Sequence, residues 1–296
     1  MFHGILLSIA SSCLFAAIYY YSTLLTPLNG VEVFGWRMAL TLPFVSLFML
    51  MSKDLPLIKS VFTALLQRPS LIFGLILSSF LIGIQQWLFM WAPLNGQALE
   101  VSIGYFLLPL SMLLVDRFIY HERLSCLQWL AALCALLGVS HEIYLFGGFP
   151  WEAALVALGF PCYFILRRKL GTNHLGGFWL DLLLMLPVAG FIITHHCATI
   201  TLPSHTVLYL LLIGLAILSA TSFMFYIIAS RLLPLSLFGL LGYVEPVLLV
   251  AISLYLGEQI RQEQWLTYIP IWLAVGLLTC NGILKIYHGK QQRCLN

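Results

Sequence analysis

Charge is what this chain of 296 residues has least of. Only 8% of its residues are Asp, Glu, Lys or Arg, against 61% hydrophobic, and the mean hydropathy is +0.99. Soluble domains carry about 25% charged residues. So sparse a supply cannot coat a solvated surface, which excludes a water-soluble enzyme, a disordered tail and a nucleic-acid binder. The net charge of +3 is small. Cys-x-x-Cys is missing too: the seven cysteines (Cys13, Cys126, Cys134, Cys162, Cys197, Cys280 and Cys294) are scattered, mostly within apolar stretches, so neither a disulfide frame nor a zinc site is expected. The run His195-His196-Cys197 with His205 has no matching ligand spacing elsewhere, and no metal is expected there. The lack of a Gly-x4-Gly-Lys-[Ser/Thr] loop argues against an ATP-driven pump, and the lack of repeated filter residues against an ion channel. The opening Met-Phe-His-Gly has no basic region or cleavage site, so the apolar run after it is expected to be a retained membrane helix.

Long apolar runs are what the chain does have. They fall at roughly 4–25, 31–51, 71–92, 99–119, 124–140, 151–166, 178–193, 206–229, 235–256 and 265–286. A crossing needs about 20 apolar residues, and the runs lack barrel alternation, so helices are expected. The connections carry turn chemistry at Pro27 to Gly30, Asn95-Gly96, Gly147-Gly148 and Pro203-Ser204. The fold class expected is an all-α membrane protein of ten transmembrane helices.

Basic residues orient it. Twelve of the fourteen Lys and Arg (Lys53, Lys59, Arg68, Arg117, Arg123, Arg167, Arg168, Lys169, Arg231, Lys285, Lys290 and Arg293) fall on one side of this layout, Arg261 falls on the other, and Arg37 lies within a run. The positive-inside rule makes the rich side cytoplasmic and puts both termini there.

Two halves echo one another. Phe34-x2-Arg37-x5-Pro43 matches Phe178-x2-Asp181-x5-Pro187 at an offset of 144. Gly104-Tyr105-x3-Pro109 resembles Gly242-Tyr243-x2-Pro246, and Glu122-x5-Gln128-Trp129 matches Glu258-x5-Gln264-Trp265 at an offset of 136. The expected division is 1–145 and 146–296. Five spans per repeat is odd, so the second repeat is inverted, a plan that recurs in secondary transporters.

The stretches Gln86-Trp87-x3-Trp91-Ala92, Ser102-Ile103-Gly104-Tyr105-Phe106 to Pro109, Glu122-Arg123-Leu124 and Gln128-Trp129 resemble the RarD branch of the EamA-type permeases, within the drug/metabolite transporter superfamily. Leu166 to Lys169, Leu235-Ser236, Gly242-Tyr243 to Pro246 and Gly257-Glu258 support the likeness, which runs nearly the whole chain. The resemblance implies a ten-helix carrier of the bacterial inner membrane. Members are often labelled for chloramphenicol sensitivity, and relatives elsewhere in the superfamily export amino acids and other metabolites. Many members have Asn where Gln86 stands and Glu where Asp181 stands.

Several polar residues stand out against the apolar background. Arg37 sits about 9 Å below the outer boundary at 1.5 Å per residue, where a charge normally faces a cavity or a partner. It either grips a substrate carboxylate or other acceptor, pairs with Glu100, or snorkels. Asp181, its counterpart, belongs near the inner face, as a gate or as a partner of the Arg167–Lys169 cluster. Glu245, close to midplane before Pro246, is the proton-coupling candidate, or else satisfies a broken turn. Pro109 and Pro246 are candidate helix breaks or hinges. Gln86, Trp87, Trp91, Ser102, Tyr105 and Tyr243 join Arg37 as candidate substrate-binding residues, an aromatic wall with a few polar groups. Glu122 and Glu258 read as loop and helix-capping residues.

These features favour a secondary carrier for a small amphipathic or zwitterionic metabolite or drug, working by alternating access, with export preferred. The alternatives are an uptake or exchange carrier for amino acids or nucleotide-like metabolites, and a non-transporting membrane scaffold. An intramembrane enzyme would need a nucleophile–base pair or metal cluster at one depth. No cofactor is implied. The partners expected are the substrate, the lipid bilayer and, under the proton-coupling reading, protons. One chain holds both repeats, so a monomer suffices and a dimer is compatible.

Overall fold

A computed structural model describes residues 2–119, 121, 124–146, 148–196, 206–233, 237–238 and 241–294. Among them the regular structure is helical throughout. In chain order the helices are α1 (Phe2–Tyr21), α2 (Gly30–Met51), α3 (Leu55–Gln67), α4 (Leu71–Trp91), α5 (Ala98–Phe118), α6 (Cys126–Phe146), α7 (Trp151–Leu170), α8 (Leu175–His196), α9 (Thr206–Leu232), α10 (Val244–Tyr255) and α11 (Trp265–Cys294). Among the described residues eight helical stretches are long and apolar enough to cross a bilayer, as expected where lipid offers the backbone no hydrogen-bonding partner. This is a multi-pass membrane protein. The two expected runs outside those eight are α7, which carries Glu152 at one end and Arg167, Arg168 and Lys169 at the other, and α10, only 12 residues long.

Local chemistry sets the helix ends. Asn29 precedes α2, and its side chain accepts from the backbone N–H groups of Val31 and Glu32, both at 3.0 Å, while Glu32 Oε2 accepts from the Asn29 N–H at 2.8 Å. This capping box satisfies donors that the helix itself cannot. The ninth run, expected from 235 to 256, is interrupted by a turn at Gly242-Tyr243. Pro246 is the third residue of α10, where its missing N–H would have no intrahelical acceptor in any case. Pro246 therefore starts a helix rather than interrupting one, whereas Pro109 lies inside α5.

One helix was not anticipated. Residues 53–68 read as a basic loop, yet Leu55–Gln67 forms α3, opened by Pro56 in its first turn. Val61 and Leu65 lie on its inner side against Leu75 of α4 and Leu180, Leu183 and Leu184 of α8, with Lys59, Thr63 and Gln67 interspersed.

The chain divides into two compact units. One comprises Met1–Ala16, Gln97–Leu158 and Phe225–Asn296; the other comprises Ala17–Gly96 and Gly159–Met224. Both draw from either side of residue 146. In the first unit α6 packs mainly on α11, and α5 on α10; in the second, α2 packs mainly on α8. These are the same helices that the sequence echoes relate: 37 with 181, 104–105 with 242–243, and 128–129 with 264–265. The shared motif also does the same local work twice. Gln128 Oε1 accepts from the Ser125 N–H at 2.8 Å, and Gln264 Oε1 accepts from the Arg261 N–H at 3.0 Å.

Lipid is as apolar as leucine, so helix pairs inside it depend on close packing and polar contacts rather than hydrophobic burial. Ala131 and Ala135 of α6 share the first unit's core with Ala274 and Ile271 of α11. Gly138 allows the closest approach: a Cβ there would stand 2.8 Å from the Thr267 carbonyl oxygen, a backbone atom that cannot swing aside. Gly276 on α11 faces open space. Replacing Gly138 with alanine is therefore expected to lower stability by about 1–3 kcal/mol through overpacking, while Gly276→Ala is neutral or stabilising. Thermal unfolding of the two variants in detergent distinguishes them; equal midpoints would show that α6 and α11 tolerate separation.

Candidate functional site

Each of the second unit's paired helices carries a buried charge that ties it to its neighbours. Arg37 of α2 is 1% exposed. Its Nε donates to Ser219 Oγ of α9 at 3.0 Å, and its Nη1 donates to Gln86 Oε1 of α4 at 2.8 Å. The guanidinium carbon lies 5.5 Å from the centroid of the Phe89 ring, a face whose quadrupole attracts cations. Phe89 in turn leans on Tyr19, ring to ring at 4.8 Å. A fork of N–H groups held by an amide and a hydroxyl suits planar acceptors such as carboxylates. Trp87 and Trp91 follow Gln86 along α4, their rings 5.7 Å apart and half-buried.

Asp181 of α8 is completely buried. Its Oδ2 accepts from Arg167 Nη1 at 3.0 Å and from the Tyr163 hydroxyl at 2.9 Å, and its Oδ1 accepts from Ser78 Oγ of α4. Arg167 Nη2 also donates to the His174 carbonyl at 2.9 Å, and its guanidinium lies over the Tyr163 ring at 5.6 Å. Arg167, part of a basic run that first reads as a topology signal, is thus an internal counter-charge. Burial, aided by the nearby Arg167 charge, pushes the His174 imidazole below its usual range.

The two anchors mirror each other. Arg37 and Asp181 are 144 positions apart, and the serines that meet them, Ser219 and Ser78, are 141 apart in the crossed sense. The Arg37–Ser219 bond on one side has its counterpart in the Asp181–Ser78 bond on the other. Sequence reading missed both serines because single serines are common in membrane helices. Only the near-constant offset marks them.

The remaining candidates lie in the first unit. Ser102 spends its hydroxyl on its own helix, donating to the Ala98 carbonyl at 2.8 Å. Tyr105 is half-buried on α5, Tyr243 is buried in the core beside α10, and Glu245 is a half-buried residue in the first turn of α10. Glu258 does cap a helix, as expected, but a distant one. Its carboxylate accepts from the N–H groups of Ala98 and Leu99, at 2.7 and 2.6 Å, at the start of α5. Burial raises its pKa, a shift opposed by these two hydrogen bonds. Glu122, Cys197 and His205 lie outside the described residues. Among those described, no group of three His, Cys, Asp or Glu side chains is placed to hold a metal ion.

Residues 2–141 match the EamA-like transporter family. An uncharacterized transporter of Pasteurella multocida is 41% identical over 97% of this chain and 98% of its own length. The chloramphenicol-sensitive protein RarD of Pseudomonas aeruginosa is 43% identical over 93% of each chain. The chain belongs to the RarD branch of the EamA-like transporter family. This RarD-type transporter is also 29% identical to protein RarD of Escherichia coli K12, over 95% of both chains. Its fold matches that of a solved crystal structure with a TM-score of 0.57 at 16% identity, covering 94% of this chain and 98% of the other.

The buried ion pair gives a direct test of the anchors. Asp181→Asn leaves the Arg167 charge buried without its counter-ion and is expected to cost about 3–5 kcal/mol. The double variant R167M/D181N removes both charges and should recover most of that loss. Thermal unfolding in detergent reads the difference, and a D181N protein as stable as the parent would remove the pair from any structural role.

Proposed function

We propose that this RarD-type transporter is a secondary carrier of the bacterial inner membrane. Ten transmembrane helices form two inverted repeats, 1–145 and 146–296, that alternate access to a substrate site, with both termini cytoplasmic. Two features support the architecture. Echoing helices pack as pairs inside each unit, which is what an in-plane twofold relation between halves demands. The crossed Arg37–Ser219 and Asp181–Ser78 bonds repeat that relation at the level of single side chains. Orientation follows from the twelve basic residues on one side.

One observation carries the functional reading: a guanidinium is buried inside a membrane helix pair and held by an amide, a hydroxyl and a ring face. Burying such a charge is costly, and membrane proteins keep such residues chiefly along substrate or ion pathways. Arg37 with Gln86 anchors a carboxylate or other acceptor on the substrate, and Trp87 and Trp91 receive its apolar part. Ser102, Tyr105 and Tyr243 are the further substrate-binding candidates, carried by the first unit. The substrate is a small amphipathic or zwitterionic metabolite or drug, and export is the direction. The name of the Pseudomonas aeruginosa relative makes chloramphenicol-like compounds the first class to test. Asp181 with Arg167 forms a gate toward the cytoplasm, Glu245 takes up and releases the coupling proton, Pro109 marks where α5 bends during the cycle, and Pro246 marks the hinge at which α10 begins.

Counterflow in proteoliposomes, screened over amino acids, nucleosides and chloramphenicol-like compounds with and without a proton gradient, tests this reading. Arg37→Ala is expected to weaken transport about tenfold or more, the worth of a charged hydrogen bond. Arg37→Lys fails to restore it because an ammonium cannot reproduce the fork. Full transport by R37A would dismiss the anchor. Glu245→Gln is expected to flatten the pH dependence of flux, and an unchanged profile removes Glu245 as the coupling residue.

A further inference from the structure

The first unit holds a second polar cluster that the carrier reading does not use. Glu100 stands in the first turn of α5, Glu142 near the end of α6, Glu152 in the first turn of α7, and Glu258 in the loop between α10 and α11. Glu142 and Glu152 are buried, while Glu100 and Glu258 are part-exposed. Glu100 lies within electrostatic reach of the other three. Two of the four are bound locally. Glu258 holds the start of α5, and Glu142 Oε2 accepts from the Thr267 hydroxyl at 2.6 Å, whose oxygen lies 3.1 Å from His141 Nδ1.

Glu100 differs: among the described residues its buried Oε2 accepts no hydrogen bond, and the group's only backbone bond is to its own N–H. Facing the same cluster from α11 is Tyr268, 1% exposed, whose hydroxyl also has no hydrogen-bond partner among the described residues. None of the four carboxyl groups makes an ion pair among the described residues, and none belongs to a set placed to hold a metal. A carboxylate with an orphaned oxygen, within electrostatic reach of three others and with no cation paired to it among the described residues, is unfavourable in a medium of low polarity. A proton relieves it. It removes the charge that the neighbours oppose and turns an acceptor-only group into one with an O–H donor.

We propose that Glu100 is a proton-binding site. With its proton bound it is a neutral carboxylic acid. On deprotonation its O–H bond breaks, the proton passes to water on the side where Glu100 and Glu258 are part-exposed, and a carboxylate remains. Glu258 from its loop, Glu152 from α7, Glu142 from α6 and Tyr268 from α11 are the titratable groups that face it, with His141 behind Thr267.

Infrared difference spectroscopy on the full chain in lipid nanodiscs, with carbon-13-labelled glutamate to separate Glu from Asp, reads this site without any transport assay. The parent is expected to show the carbonyl stretch of a neutral glutamic acid at neutral pH, fading as the pH is raised. Glu100→Gln abolishes that band, and Glu245→Gln leaves it in place, so the result is distinct from the coupling role given to Glu245. Should E100Q fail to fold, Tyr268→Phe and Glu258→Gln carry the test. The first shifts the band, and the second moves its titration to lower pH by removing a repelling neighbour. A parent without the band, an E100Q protein that keeps it, or a titration unmoved by both Y268F and E258Q overturns the proposal.

Discussion

A charge inside a lipid bilayer must find its partners within the protein, and in this transporter Arg37 and the Asp181–Arg167 pair organise a whole unit. Arg37 ties α2 to α4 and α9 through Gln86 and Ser219, and Asp181 ties α8 to α4 and α7 through Ser78, Tyr163 and Arg167. Hydrophobic burial cannot select these neighbours, because lipid tails satisfy an apolar side chain equally well. Directional bonds can. Close packing adds the rest, from the Trp179 indole N–H donating to Ser46 Oγ at 2.8 Å between α8 and α2 to the bare surface that Gly35 of α2 presents to Ile192 of α8.

The first unit uses a different balance. Its core is mostly apolar, with alanines and Gly138 drawing α6 against α11, and its acidic groups collect where α5, α7 and α11 begin and α6 ends. The contrast between a unit organised by opposite charges and one gathering like charges marks a division of labour along the chain.

Much of this was legible from composition and run length. Continuous apolar stretches long enough to cross a bilayer can hardly be anything but helices, and the turn chemistry of Pro27 to Gly30 falls just before α2. Arg37 and Gln86 were both read as site residues, and they share a hydrogen bond. What escaped has physical reasons. The α3 helix alternates Lys59, Thr63 and Gln67 with its apolar side, so a search for unbroken apolar runs passes over it. The ninth run looked continuous because Gly242 and Tyr243 are compatible with a helix, and only the turn there makes Pro246 an opening residue. The basic run 167–169 was read both as a topology marker and as a partner for Asp181, but which of its three residues turns inward, Arg167, was not legible. The partners of Glu258 lie about 160 positions away, a distance that no local motif reveals.

That last contact bears on how the protein is made. The first donors of α5 are satisfied by a residue the ribosome reaches about 160 positions later, and each compact unit takes helices from both sides of residue 146. A half-synthesised chain can insert its early segments one by one, but it cannot close either unit. Until α8 and α9 are threaded, Arg37 lacks Ser219, and Ser78 waits for a carboxylate not yet translated. Assembly in the bilayer is therefore a late event, and the early helices must be sheltered by the insertion machinery or by lipid until their counterparts arrive.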